Sequence, residues 1–213
     1  MENVCFKDRV DAGKQLAEKL IQYKDQNPVV LALPRGGVVL GAEIAGSLDC
    51  PLDLVMPRKI GHPANPEYAI AAVTESGAMV ANEAETRAVD PDWFEREKEA
   101  QIAEAKRRRE VYLKGRKPID LAGKTAILAD DGIATGLTMQ AAIREVEDKN
   151  PAKIVVAVPV APRDIYGKIK VEADDFVAID IPDSFLGSVG AYYRDFPQVS
   201  DEEVVKILQQ AKS

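Results

Sequence analysis

The feature that most constrains this chain is a repeated unit: a short apolar run, a tight turn, then a helix-spaced segment. Val29-Val30-Leu31-Ala32-Leu33 enters Pro34-Arg35-Gly36-Gly37 and a helix over 38–47. Leu52–Met56 ends at Pro57-Arg58-Lys59. Thr125–Ala129 meets a glycine- and threonine-rich turn over 130–137 and a helix over 138–149. Lys153–Val160 precedes a short helix over 164–170, and a strand over 175–181 closes the series. Near-continuous β-branched runs are strands buried on both faces, and their alternation with helices implies a parallel sheet covered by helices on either side. The fold class is therefore α/β. Ligands of such sheets bind beyond the carboxyl ends of the strands. The turns at 34–37, 57–62 and 130–138 all fall there.

Other segments break the rhythm. Val10, Leu16, Ala17, Leu20 and Ile21 recur at helical spacing and predict a helix over 8–24. Segment 61–66, with two prolines, a glycine and an asparagine, reads as a mobile loop. Tyr68–Thr74 and Met79–Ala81 read as a hairpin around Ser76-Gly77. Asp90 as N-cap, Pro91 at the first helical position and Gly115 at the end predict a long charged helix over 91–114. Its apolar residues (Trp93, Phe94, Val111, Tyr112, Leu113) gather at the ends, so it is expected to pack at its tips or against a partner subunit. The run Lys106-Arg107-Arg108-Arg109 is matched by Glu95, Glu97, Glu99, Glu104 and Glu110, which describes a salt-bridged solvated face rather than a nucleic-acid site.

A length of 213 residues suits a single domain with a substantial core. The net charge of −7 asks for no nucleic acid, so an anionic ligand must be held by local features. Cys5 and Cys50 form no C-x-x-C pair and His62 is the only histidine, which leaves no zinc-ligand set and suits a reducing cytoplasm. The first nineteen residues are charged throughout, and no run approaches about 18 apolar residues, so neither a signal peptide nor a membrane-spanning helix is expected.

The richest chemistry lies in Ala126-Ile127-Leu128-Ala129-Asp130-Asp131-Gly132-Ile133-Ala134-Thr135-Gly136-Leu137-Thr138. An apolar strand delivers two adjacent carboxylates to its exposed end, and a turn of small residues then opens a helix. Free backbone N–H groups at a helix start make an anion cradle, to which Thr135 and Thr138 add hydroxyls. Paired aspartates suit a polyhydroxylated sugar and a hard cation with its water shell. The layout describes a phosphate beside a ribose.

These residues resemble the signature with which type I phosphoribosyltransferases bind 5-phosphoribosyl-1-pyrophosphate (PRPP). That pattern is a hydrophobic strand, two acids, two mostly apolar positions, a small residue, Thr, Gly, any residue, Thr; Gly132 stands where a larger apolar residue is usual. The resemblance implies a type I fold with a small hood, in which Ala134, Thr135, Gly136, Leu137 and Thr138 take the 5-phosphate. Asp130 and Asp131 would hold the ribose hydroxyls and order the water shell of a Mg²⁺ cofactor, Asp131 counting as catalytic. Arg35, Gly36 and Gly37 match the loop that contacts pyrophosphate. Arg58 and Lys59 look like the start of the mobile catalytic loop and would neutralise the leaving pyrophosphate; His62 is read as incidental. Segment 181–187 resembles the hypoxanthine–guanine branch, where Phe185 would cover the acceptor base.

Two positions depart from that branch: Ala134 stands where 6-oxopurine enzymes carry an aspartate, and Pro159 where they carry a lysine. The long helix is also foreign to the usual core, so the chain is similar to the less characterised bacterial and archaeal members with an inserted helical arm. The resemblance covers about 8–75 and 122–195, leaving an insertion of about 88–117 in a single phosphoribosyltransferase domain over 1–213. It implies a cytoplasmic homodimer that transfers the phosphoribosyl group to a nitrogen of a nucleobase-like acceptor, with small-molecule partners and neither nucleic acid nor membrane. The alternative is a non-catalytic PRPP- or nucleotide-binding regulatory module. A DNA-binding version of it is disfavoured by the 27 residues ahead of the first strand. A metal-dependent phosphate-ester hydrolase lacks further ligands at recognisable spacing.

Overall fold

The computed structural model describes residues 6–212. Five parallel strands form the central sheet: β1 (Pro28–Ala32), β2 (Leu52–Leu54), β6 (Thr125–Ala129), β7 (Lys153–Val160) and β8 (Asp175–Asp180), in the order β2-β1-β6-β7-β8. Alternate residues divide between two cores. Val30, Ala32, Ile127, Ala129 and Val155 join the helices α1 (Arg9–Leu20), α2 (Gly36–Leu48) and α7 (Asp201–Gln210) on one face. Val29, Leu31, Ala126, Leu128 and Val156 join α5 (Leu137–Glu147) and α6 (Arg163–Ile169) on the other. With about 1.5–3 kcal/mol from each buried Val, Leu or Ile, this double cover is what makes the apolar runs strands. The expected α/β architecture is the one observed.

A second, antiparallel sheet of β3 (Arg58–His62), β4 (Asn65–Val73) and β5 (Met79–Ala81) stands at the carboxyl edge of the first. A short helix α3 (Glu83–Arg87) leads from it to the arm helix α4 (Pro91–Leu113). The sheet packs through Ala72 and Val80 on Ala141 of α5, and through Ile60 and Ile70 near Trp93 and Phe94 of α4. Together with the returning segment 181–199 it overhangs the sheet edge as a hood. This corrects the reading of 61–66 as a loop: β3 and β4 form a hairpin with only Pro63 and Ala64 between them, and His62 Nδ1 accepts from Ala64 N at 3.1 Å. Pro66 is tolerated because the register shifts there, where no ladder N–H is needed, and a side chain at Gly61 would collide with its carbonyl.

The arm departs from expectation as well. Between Asp90, whose side chain caps it, and a left-handed Lys114, α4 packs along its length rather than at its tips alone, through Ile102, Ala105, Arg109, Tyr112 and Leu113. Its basic run divides. Arg107 and Arg108 pair with Glu104, as the charge pattern suggests, but Arg109 turns inward. It is bonded to Asp53 and Glu75, each at 3.1 Å, and to the Leu54 carbonyl at 2.8 Å. Helix α7 was not expected at all, although Ser200-x-x-Glu203 is a capping box that signals it. Beyond α7, the Lys212 carbonyl accepts from Leu52 N and covers the free edge of β2.

Candidate functional site

A cleft of about 540 Å³ opens where β1 and β6 end, bounded by Pro34, Arg58, Lys59, Asp130, Asp131 and Thr138 below and by Ser188, Val189, Gly190 and Phe196 above. Its floor follows from strand pairing. Ala32 lies beside Ala129, and Leu33 N donates to the Ala129 carbonyl at 2.9 Å, so the turn after β1 presses on the acids after β6. The Pro34–Arg35 peptide is cis. Only glycine fits next: a Cβ at Gly37 would stand 2.6 Å from the Ala129 oxygen, and one at Gly36 would overlap the Asp131 carboxylate.

The two acids are differently held. Asp130 Oδ1 accepts from Asp131 N at 2.8 Å, while Asp131 Oδ2 takes Arg9 Nε at 2.7 Å and the Asp131 carbonyl accepts from Tyr193 Oη at 2.7 Å. Burial, and then the charge of Asp131, push the Asp130 carboxyl well above the ordinary aspartate range, against the pull of Lys59 and Arg9. Burial also raises Asp131, although Arg9 opposes it. Both carboxyls are therefore easier to protonate than an ordinary aspartate, Asp130 the more so.

This has a measurable consequence for the ligand-free protein. Between the ordinary aspartate value near 4 and the raised native value, the folded state holds more protons than the unfolded chain, so stability falls as pH rises through that window. Asp130→Asn removes the larger contribution. Denaturant midpoints taken from pH 4 to 8 should fall less steeply in the variant than in the wild type, with the variant the more stable at pH 8. Parallel curves would contradict the assignment.

Beyond the acids, Gly132 has φ +151 and a Cβ there would lie 2.5 Å from Val189 Cγ1, so Val189 occupies the space that a larger residue would take. Gly136, at φ +85, caps α5 with no side-chain hydrogen bond, which leaves the first N–H groups of a long helix without a side-chain cap. Ala134 and Thr135 are exposed beside them and Thr138 lines the cleft. Leu137 packs its side chain with Ala72, Val80 and Ala141, so only its backbone can serve a ligand. Arg58 and Lys59 border the cleft from the start of β3. Arg58 Nε donates to Gln101 of α4 at 3.0 Å, and its pKa is lowered by burial and by the neighbouring Arg108.

Two expected residues are placed elsewhere. Arg35 leans toward α7, with Nη1 3.5 Å from Asp201 Oδ1. Phe185 stacks on Tyr192, their ring centroids 5.3 Å apart, while it is Phe196 that borders the cleft, with the Arg9 guanidinium 3.7 Å from its ring centroid. Arg9, Tyr193 and Phe196 were not expected at the site. Arg9 left a signal: positions 9, 12, 13, 16, 17 and 20 are the buried face of α1, so a charge sits on the stripe that should be apolar.

Comparison with known proteins follows the same geometry. A family model described as a phosphoribosyl transferase domain matches residues 6–194. Proteins of two Mycobacterium tuberculosis strains, provisionally named phosphoribosyl transferases, are 42% identical over 208 residues, 97% of this chain. The match takes in 47% of their length, so the chain spans about half of these relatives. The crystal structure of TT1426 from Thermus thermophilus superposes with a TM-score of 0.82 at 42% identity, covering 98% of this chain and 99% of that one. With its acids, glycine turn and open helix start gathered at one sheet edge, and with these matches along nearly its whole length, the chain belongs to the phosphoribosyltransferase family.

Proposed function

We propose that the chain acts as a single catalytic domain that moves the 5-phosphoribosyl group from PRPP to a nitrogen of a nucleobase-like acceptor and releases pyrophosphate. The observation that carries this reading is the meeting of three features in one cleft: a carboxylate pair, an uncapped helix N-terminus and a pair of cations. Thr135, Gly136, Leu137 and Thr138, with Ala134 beside them, offer backbone N–H groups and hydroxyls to the 5-phosphate. Asp130 and Asp131 accept from the ribose hydroxyls. The amides of Gly36 and Gly37, with Arg58 and Lys59, would meet the pyrophosphate, and Arg35 would join them by turning from Asp201.

The donor set fits a magnesium ion escorted by the substrate. Two adjacent carboxylates are hard oxygen donors, and among the described residues no group of three or more His, Cys, Asp or Glu side chains could hold a metal. Bound through water to Asp130 and Asp131, such an ion would neutralise charge on the departing pyrophosphate. In the transfer, the bond between C1 and the pyrophosphate oxygen breaks and the pyrophosphate keeps the electron pair. The acceptor nitrogen supplies the pair for the new bond and its proton passes to solvent. The chain's part is to hold reactants in line and to place positive charge where negative charge accumulates.

The acceptor side is formed by Ser188, Val189, Gly190 and Phe196, with Phe185 set back on Tyr192. Ala134 offers no carboxyl, and Pro159 lies buried in β7. This supports an acceptor other than hypoxanthine or guanine. A cytoplasmic homodimer belongs to the same reading. The reading is tested by incubating the protein with PRPP, Mg²⁺ and single bases (adenine, hypoxanthine, guanine, xanthine, uracil, orotate) and measuring pyrophosphate. Base-dependent release is expected. PRPP binding without release for any base would assign a regulatory module instead, and neither release nor binding would refute the reading of 130–138.

A further inference from the structure

The arm helix α4 packs against β3, whose Arg58 and Lys59 line the cleft on the side assigned above to pyrophosphate. Gln101, Glu104, Arg108 and Tyr112 follow one another at spacings of three and four residues and so share one face. At one end Gln101 accepts from Arg58 at 3.0 Å. About 16 Å further along the helix axis, Tyr112 donates to Asp201 Oδ1 at 2.7 Å, the same oxygen that approaches Arg35. The two arginines assigned to pyrophosphate are thus tied to the two ends of one helix face, and Arg108 stands between them.

Among the described residues Arg108 is ion-paired with Glu104 alone, Nε to Oε1 at 2.7 Å, and Glu104 is shared with Arg107, which grips both of its oxygens at 2.7 and 3.0 Å. Those two guanidiniums hold the Glu104 carboxyl down to about 2. Arg35, Arg58, Arg107 and Arg108 therefore crowd round two carboxylates, Glu104 and Asp201. Positive charge in excess at one point of an acidic chain is a local cost unless an anion is to be received there. Glu104 can release Arg108 without being left uncompensated, because Arg107 remains on it. Arg108 keeps 28% of its side chain exposed and Arg107 60%, so Arg108 is the one turned toward the molecule.

We propose that Arg108 is a third cation for the leaving pyrophosphate, delivered by the inserted arm beside Arg35 and Arg58. In this role it exchanges Glu104 for a pyrophosphate oxygen when PRPP binds. This assignment rests on the transferase reading above. The experiment is to titrate magnesium pyrophosphate and ribose 5-phosphate separately, by calorimetry, into the wild type, Arg108→Ala and Arg107→Ala, with a thermal melt of each. Arg108→Ala should weaken pyrophosphate binding at least tenfold and leave ribose 5-phosphate within twofold, whereas Arg107→Ala should weaken pyrophosphate much less. Wild-type pyrophosphate affinity in Arg108→Ala would overturn the role. So would a parallel loss of both ligands together with the melting temperature, which marks a merely structural arginine. A wild type that binds neither ligand would refute the transferase reading itself, and this inference with it.

Discussion

Arg109→Ala is expected to cost about 3–5 kcal/mol of folding stability, the range for removing one partner of a buried ion pair. Its side chain is 12% exposed, that of Asp53 7% and that of Glu75 15%, so water screens the charges poorly. Without it, Asp53 keeps its bonds from Leu54 N and Ile119 N, but its charge and that of Glu75 lose their counter-ion. The loss is structural as well as local, because Arg109 of the arm ties core strand β2 to the turn after β4. Burial already raises the Glu75 carboxyl against the pull of Arg109, so in the variant it rises further. The penalty should accordingly be greatest at neutral pH and shrink toward pH 4, where protonation removes the unpaired charge. Arg109→Lys should recover only part, since one ammonium cannot reach two carboxylates and the Leu54 carbonyl as the fork does. Urea midpoints at pH 7 and pH 4.5 provide the measurement. A pH-independent loss below about 1 kcal/mol would show the pair to be no better than a surface salt bridge.

The second large effect concerns binding. Asp131→Asn should weaken PRPP·Mg²⁺ binding on the order of 100-fold, about 3 kcal/mol, the scale of one or two charge-assisted hydrogen bonds. The fold should tolerate it, because the amide oxygen still accepts from Arg9, which also donates to the Pro197 carbonyl at 2.6 Å and lies on Phe196. Gly36→Ala should reproduce the loss without changing either acid, since the new Cβ claims the place of the Asp131 carboxylate. Calorimetric titration with PRPP, beside a thermal melt of each variant, separates binding from stability. Unchanged affinity in Asp131→Asn would remove that residue from the site, whatever Gly36→Ala does.

Much of the fold was legible because it is written locally. The strands at 125–129 and 153–160 have the expected bounds, and the caps at Asp90 and Lys114–Gly115 delimit the arm as composition suggests. The 61–66 hairpin was not legible. Two prolines and a glycine are turn signals unless the tertiary register places them at a tip and a bulge, which no local pattern reveals. The arm misled for a related reason. Its mid-helix contacts are made by Ile102, Ala105 and the stem and head of Arg109, and a buried arginine reads as solvated until its carboxylate partners are known.

The site divides along the same line. The run from Ala126 to Thr138 is one contiguous piece, and its order of strand, acids, small turn and helix start carries its own chemistry. So does the glycine pair at 36 and 37. Arg9 and Asp131 are 122 residues apart and Tyr193 and Asp131 62, and each pair meets because the parallel sheet brings distant segments to one edge; Arg109 and Asp53, 56 apart, meet because the arm helix brings Arg109 onto β2. By itself the sequence determined the α/β architecture and the order of strand, acids, small turn and helix start, because periodicity and a continuous motif are properties of neighbours along the chain. The tertiary structure alone decided which cations stand beside the acids and which aromatic borders the cleft. Hydrophobic periodicity says which side of an element is buried, and is silent on what it is buried against.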